Sequence, residues 1–396
     1  VAAWRPFQLA FILLNLDGIF QSKNDPEWQK RNELVDLVWF PTGGGKTESY
    51  LGIIALVAIN RRLSYQGNAG YGVAAIMRYT LRLLTTQQFQ RALRLILAIE
   101  QIRKWGMYNL GDKEISIGLF VGENSLKNHY KDLADEIRKN WRSAGGHGQI
   151  PLDRCPWCGS LLREKEVSMD HFYFGCSNRH CTFGKRNYLP VRLCDDHVYE
   201  EPPTLLFGTV DKFAQLARRV NVNTAYADSR RLFGKGIGCN PPDLIIQDEL
   251  HLLLGPLGSA VSLFETAIDQ LCSIKRADGL VVRPKIISST ATTRNTALQI
   301  RALYDRDVSI FPKNGTDYDD SFFAFYRRKK DIESDDWKFV SKRKYIGIMP
   351  TGRTQMTTQM RFAAILFVHR ALYELKNKKL LDCNDPSFIE AADYYY

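Results

Sequence analysis

No run of apolar residues in this 396-residue chain approaches the roughly eighteen needed to cross a bilayer, which argues against a helical membrane protein. Nor does a secretory signal open it: Val1-Ala2-Ala3-Trp4 leads straight into an amphipathic segment, so a cytoplasmic setting is expected. In that setting eight cysteines point to metal or buried thiols before disulfides. Internal repeats and low-complexity tracts are lacking, and so is an initiator Met, so the chain is expected to be a piece of something longer. What is present is ordinary globular material, 45% hydrophobic and 24% charged, enough for two or three domains. The 54 Lys+Arg against 43 Asp+Glu leave a formal charge of +11. That excess suits a polyanionic partner and equally a soluble basic protein.

Short apolar runs alternate with helix-like segments. Strands are expected over 34–40, 71–77, 115–121, 204–209, 243–248 and 285–289. Helices are expected over about 47–62, 85–104, 124–140, 211–220, 256–275 and 294–304. This rhythm implies an α/β fold whose parallel sheet is covered by helices on both faces, with ligands at the carboxyl ends of the strands.

The stretch WFPTGGGKTE, Trp39–Glu48, stands between the first strand and the first long helix. Strand, glycine loop and helix make a phosphate cradle. Thr42, Gly43, Gly44 and Gly45 can close backbone N–H groups around phosphate oxygens, Lys46 can reach the terminal phosphates, and the Thr47 hydroxyl can ligate Mg²⁺. A second run, Asp243-Leu244-Ile245-Ile246-Gln247-Asp248-Glu249-Leu250-His251, ends an apolar strand in paired carboxylates. Asp248 can hold Mg²⁺ through a water and Glu249 can polarise the water that attacks the γ-phosphorus, with His251 beside them. A third, Ser288-Ser289-Thr290-Ala291-Thr292, places hydroxyls where Thr290 and Thr292 can couple the state of the phosphate to the rest of the domain. Arg78, Arg82, Thr85, Gln87 and Gln88 follow the strand expected at 71–77, with Lys212 a further cation. Such groups suit sequence-independent phosphate contacts on a nucleic acid. Arg91 and Arg94 read as a solvated helix face.

Cys155-Pro156-Trp157-Cys158-Gly159 is a knuckle that aims two thiolates at one point, and Cys176 and Cys181 supply a second pair. Four thiolates satisfy a structural Zn²⁺ with no open position. Cys194 and His197 compete as ligands.

Gly-Lys-Thr, Asp-Glu-x-His and Thr-Ala-Thr, in that order, resemble motifs I, II and III of superfamily 2 helicases. PTGGGKTE, RYTLRLLT, QDELHLLLGPLGS and SSTATTRN together resemble the helicase subunit of the bacterial DISARM anti-phage system, over most of residues 1–310. The resemblance implies a RecA-like P-loop domain, with Gln8 of Trp4-Arg5-Pro6-Phe7-Gln8 reading adenine. It divides the chain into a motor lobe over 1–142 and 201–310, an inserted zinc module over 143–200, and over 311–396 a linker with the beginning of a second lobe. It implies ATP, Mg²⁺ and Zn²⁺ as cofactors, DNA as the track and a second defence-system subunit as partner. Motifs IV to VI do not occur before Tyr396, so these residues are expected to bind ATP better than they hydrolyse it. Two other readings share these residues: an RNA helicase, and a nucleotide-gated scaffold that clamps DNA without moving.

Overall fold

The computed structural model describes residues 3–376, apart from 21–25, 41–42, 81, 124, 143–151, 153, 168–171, 185–186, 217–219, 221–227, 278, 291–294, 314, 318–321, 324, 327, 331–336 and 340–345. Two units divide the chain, Val1–Phe323 and Ala324–Tyr396.

The first unit opens with α1 (Pro6–Phe20) and α2 (Pro26–Glu33). Each begins at a proline, whose fixed φ and missing N–H suit a first helical turn. β1 (Val35–Trp39) feeds the glycine loop, which feeds α3 (Lys46–Ser64). Then come β2 (Ala75–Tyr79), α4 (Arg82–Trp105), β3 (Ile117–Phe120), α5 (Tyr130–Arg142) and a hairpin of β4 (Leu162–Val167) and β5 (Phe172–Cys176). β6 (Val191–Arg192), α6 (Asp195–Glu200), β7 (Leu205–Thr209), α7 (Val210–Phe213), β8 (Leu244–Gln247) and α8 (Gly255–Cys272) follow. A short hairpin of β9 (Ile274–Lys275) and β10 (Val281–Val282) leads to β11 (Lys285–Thr290), α9 (Thr296–Tyr304) and β12 (Val308–Phe311). The second unit holds β13 (Arg328–Lys330), antiparallel to β14 (Trp337–Phe339), and α10 (Gln355–Lys376).

Eight strands form one sheet in the order β12-β1-β11-β8-β2-β7-β3-β6, and every neighbouring pair is parallel. The period of two along each strand divides its side chains between two cores. Val38, Met77, Phe207, Ile246 and Ile287 join one core with Ile53 and Ile54 of α3 and Phe89 and Leu93 of α4. Leu37, Ile76, Leu206, Ile245 and Ile286 join the other with Val261 and Ile268 of α8 and Ile300 of α9. The expected sheet covered on both faces is therefore what forms, because strands buried on both sides read as nearly continuous apolar runs.

Three boundaries differ from expectation. β2 starts four residues later than the apolar run at 71–77, since Gly72 sits at φ +75° in a turn. β6 lies inside 143–200 yet joins the main sheet beside β3, and α6 follows it. β12 pairs with β1, and the first unit continues to Phe323, past the expected break at 311. Among the described residues no helix is long and apolar enough to cross a membrane.

Candidate nucleotide and metal sites

β1, β11 and β8 are consecutive in the sheet, so their carboxyl ends deliver the glycine loop, Ser289-Thr290 and Asp248-Glu249 to one edge. Gly43 and Gly45 adopt φ +79° and +95°, which a side chain would resist. A Cβ on Gly45 would also lie 2.8 Å from Gln8 Nε2. Lys46 begins α3, buried, with Nζ donating to Phe40 O at 2.9 Å and Thr290 O at 3.3 Å. Burial pushes its pKa down, against the pull of Glu249 and Asp248. Both groups of Gln8 engage its surroundings: Nε2 donates to Gly45 O at 2.8 Å, and Oε1 accepts from the Arg5 amide at 2.8 Å. Arg5 Nη1 donates to Gly44 O at 2.6 Å, and Phe7 stacks on Phe40 at 4.0 Å. Gln8 thus braces the loop from beneath.

A cavity of about 460 Å³ opens over this edge, lined by the loop with Gln8, Tyr50, Gln88, Arg91, Asp248 and Glu249. That volume suits a small-molecule ligand. The polar lining and the amino end of the 19-residue α3 suit an anionic one. Thr42 and Thr292 lie outside the described residues.

Asp248 is buried and heavily bonded. Its Oδ1 accepts from the Glu249 amide at 2.9 Å and from the Ser289 hydroxyl, and its Oδ2 accepts from Tyr50 at 2.6 Å. Tyr50 also meets Thr47 Oγ1 at 3.3 Å. Glu249 holds a left-handed backbone, φ 51° and ψ 48°, of the kind found where structure forces an active group into place. Burial raises its pKa, and Asp248 adds to the rise, while Lys46 and His251 oppose it. His251 Nδ1 lies 3.3 Å from Glu249 Oε2 and 3.5 Å from Thr290 Oγ1. The Thr290 hydroxyl, the His251 imidazole and the Glu249 carboxylate therefore adjoin one another in turn.

Tyr50 and Arg91 were not expected here. Tyr50 is signalled by spacing, since three residues after Thr47 puts it on the same helix face. Arg91, expected on a solvated face, lines the cavity and pairs with Glu48.

The expectation for Arg78 and Lys212 is corrected. Arg78 is fully buried within β2, where its guanidinium forks onto both carboxylate oxygens of Glu265 in α8. Lys212 is also buried, donating to Asp195 at 2.7 Å and Asn128 at 2.9 Å. Neither offers a cation to a phosphate at the surface. Arg82 and Thr85 lie in the first turn of α4, their side chains outside the described residues, while Gln87 is exposed and Gln88 faces the cavity.

The sulfurs of Cys155, Cys158, Cys176 and Cys181 all lie within 4.8 Å of one another. Cys155 and Cys181 are 3.9 Å apart and Cys158 and Cys176 3.3 Å. Zn–S bonds of about 2.3 Å in a tetrahedron set sulfurs about 3.8 Å apart, so the set fits zinc. The knuckle closes through Gly159 N to Cys155 O at 2.8 Å, with Gly159 at φ +76°. Cys194 and His197 stand outside this cluster, in and before α6. Protein purified without chelator is expected to carry one zinc per chain, and Cys158→Ser to lose it. Because structural zinc supplies folding energy, protease should then cut within about 150–190 while nucleotide affinity holds. An intact, metal-free cluster by elemental analysis would remove the zinc assignment.

A glycine loop between a strand and a helix, with a carboxylate pair two strands away at the same edge, defines a RecA-like P-loop domain. No family model matches the chain. It is a relative of DISARM protein DrmA from Bacillus paralicheniformis (strain ATCC 9945a / NCIMB 11709 / CD-2), 34% identical across 97% of this chain and 36% of that protein. The chain thus spans little more than a third of the relative's length. Among solved structures, the DUF1998 helicase MrfA is 13% identical with a TM-score of 0.37, over 78% of this chain and 33% of its own. Mycobacterium smegmatis helicase Lhr bound to ssDNA and AMP-PNP is 17% identical with a TM-score of 0.41, over 78% and 26%.

Proposed function

We propose that the chain is the first motor lobe of an ATP-dependent DNA helicase or translocase that acts in anti-phage defence. The observation that supports it is the meeting of Lys46, Thr47, Asp248, Glu249 and Thr290 at one sheet edge around a polar cavity. Lys46 would meet the β- and γ-phosphates of ATP, and Glu249 would take the proton of the attacking water. Thr47 and Asp248 would hold Mg²⁺, which supplies charge neutralisation when bound. Gln8, which with Arg5 holds the loop, would read the base. Thr290 and His251 would report the phosphate state to the rest of the motor. Movement would require a second lobe and its arginine finger, and a second subunit of the defence system is proposed as partner.

Lys46→Ala is expected to abolish ATP binding in calorimetry, since it removes the point charge at the phosphates while the loop glycines remain. Unchanged affinity would sink the P-loop assignment. For the track, matched DNA and RNA strands titrated across a salt series separate a DNA motor from an RNA one. Preference for RNA at every salt concentration would overturn the choice of DNA.

A further inference from the structure

Tyr50 has no place in the assignments above, yet its ring is 1% exposed and its hydroxyl touches both residues assigned to Mg²⁺. A phenol has one proton to give. At 2.6 Å that proton goes to Asp248 Oδ2. The 3.3 Å contact with Thr47 Oγ1 is then the Thr47 hydroxyl donating to the phenol oxygen. The donors to Asp248 divide between its two oxygens. Two donors, the Glu249 amide and the Ser289 hydroxyl, reach Oδ1, whereas Oδ2 accepts from the Tyr50 hydroxyl, with the buried Tyr79 phenol beside the pair.

We infer that Tyr50 is a positioning residue for the divalent cation, accepting a hydrogen bond from the Thr47 hydroxyl and donating one to Asp248 Oδ2, so that the lone pairs of Thr47 Oγ1 are turned toward the metal and the Asp248 carboxylate is held in orientation. A hydroxyl that ligates a cation must send its own proton away from it. In this site the buried phenol oxygen accepts that hydrogen bond, and its own donation to Oδ2 fixes the rotation of the carboxylate. A side chain that only filled the core would not need its oxygen. Phenylalanine keeps the ring and removes only these two hydrogen bonds. The inference rests on the nucleotide reading, and the test is chosen to tell the two apart.

The experiment compares wild type, Tyr50→Phe and Thr47→Val, as full chains, by titrating Mn²⁺ into the ADP-saturated protein and reading bound Mn²⁺ by electron paramagnetic resonance. ADP affinity is measured alongside in metal-free buffer. Loss of an outer partner of a metal ligand costs about 10- to 100-fold in metal affinity. Tyr50→Phe should therefore raise half-saturating Mn²⁺ by about that factor, partway toward Thr47→Val, and leave metal-free ADP affinity within about twofold. Half-saturation equal to wild type would overturn the role of Tyr50 alone. A wild type that binds no ADP in either buffer would overturn the nucleotide reading and this role with it. Equal losses of metal-dependent and metal-free ADP binding would make Tyr50 a packing residue and overturn its positioning role.

Discussion

In the full-length protein, Glu249→Gln is expected to bind ATP as the wild type does and to hydrolyse it about 100- to 10,000-fold more slowly, the range that a positioned general base supplies. The amide is nearly isosteric with the carboxylate, so cavity shape is kept, and Lys46 still meets its carbonyl partners. What is lost is the group that can accept a proton. The backbone at Glu249 is left-handed, which fixes where the carboxylate enters the cavity. Burial, then the neighbouring Asp248 charge, raises its pKa above the usual glutamate range. A base must be ionised to work, so wild-type turnover should fall as pH drops through that raised pKa. This acid limb should stand at higher pH than for a free glutamate and be absent from the residual rate of the glutamine variant. Stopped-flow phosphate release across pH would read both. An ATPase rate within twofold of wild type would remove Glu249 from the chemistry.

The parallel sheet was legible because its strands are apolar at successive positions, a pattern that only burial on both faces explains. Asp248 and Glu249 could be placed because strand ends are where such sheets present ligands. The misreading of Arg78 came from a strand displaced by four residues at its start and two at its end. Tyr71-Gly72-Val73 looks extended, but Gly72 turns at φ +75°, so the strand begins at Ala75 and carries Arg78 inside it, opposite Gly208 and Gln247. A cation expected just past the strand end thus became a sheet residue. Tyr50 left only a weak trace, its place three residues after Thr47. It lies in an apolar run whose sequence reads as packing, and only the convergence of α3 and β8 brings its oxygen to Asp248. Partners far apart in sequence leave no local pattern. Cys155, Cys158, Cys176 and Cys181 were legible because knuckle spacing is local chemistry, whereas the return of β6 to the main sheet was not, a two-residue strand being too short to show a period.

Arg78→Ala is expected to destabilise the first unit by about 3–5 kcal/mol at neutral pH, the cost of breaking a buried ion pair by removing one partner. The arginine is 0% exposed and Glu265 is 3% exposed, so water cannot replace the lost contact. The pair also ties β2 to α8 across the second core, with Phe213 under the guanidinium at 5.7 Å. Burial is the largest influence on Glu265 and raises its pKa, and Arg78 opposes that rise. In the variant the opposition is gone, so the carboxyl stays protonated to still higher pH in the folded state. The folded protein then binds more protons than the unfolded one above the unfolded value of about 4.5. Stability therefore declines as pH rises from there through the folded pKa. The deficit of Arg78→Ala relative to wild type should be smaller at pH 5 than at pH 8 in thermal melts. Arg78→Met with Glu265→Leu should recover most of the loss, because two apolar side chains leave no charge without a partner. A single variant as stable as wild type but weaker on DNA of every sequence would return Arg78 to the phosphate track and overturn its assignment to the core.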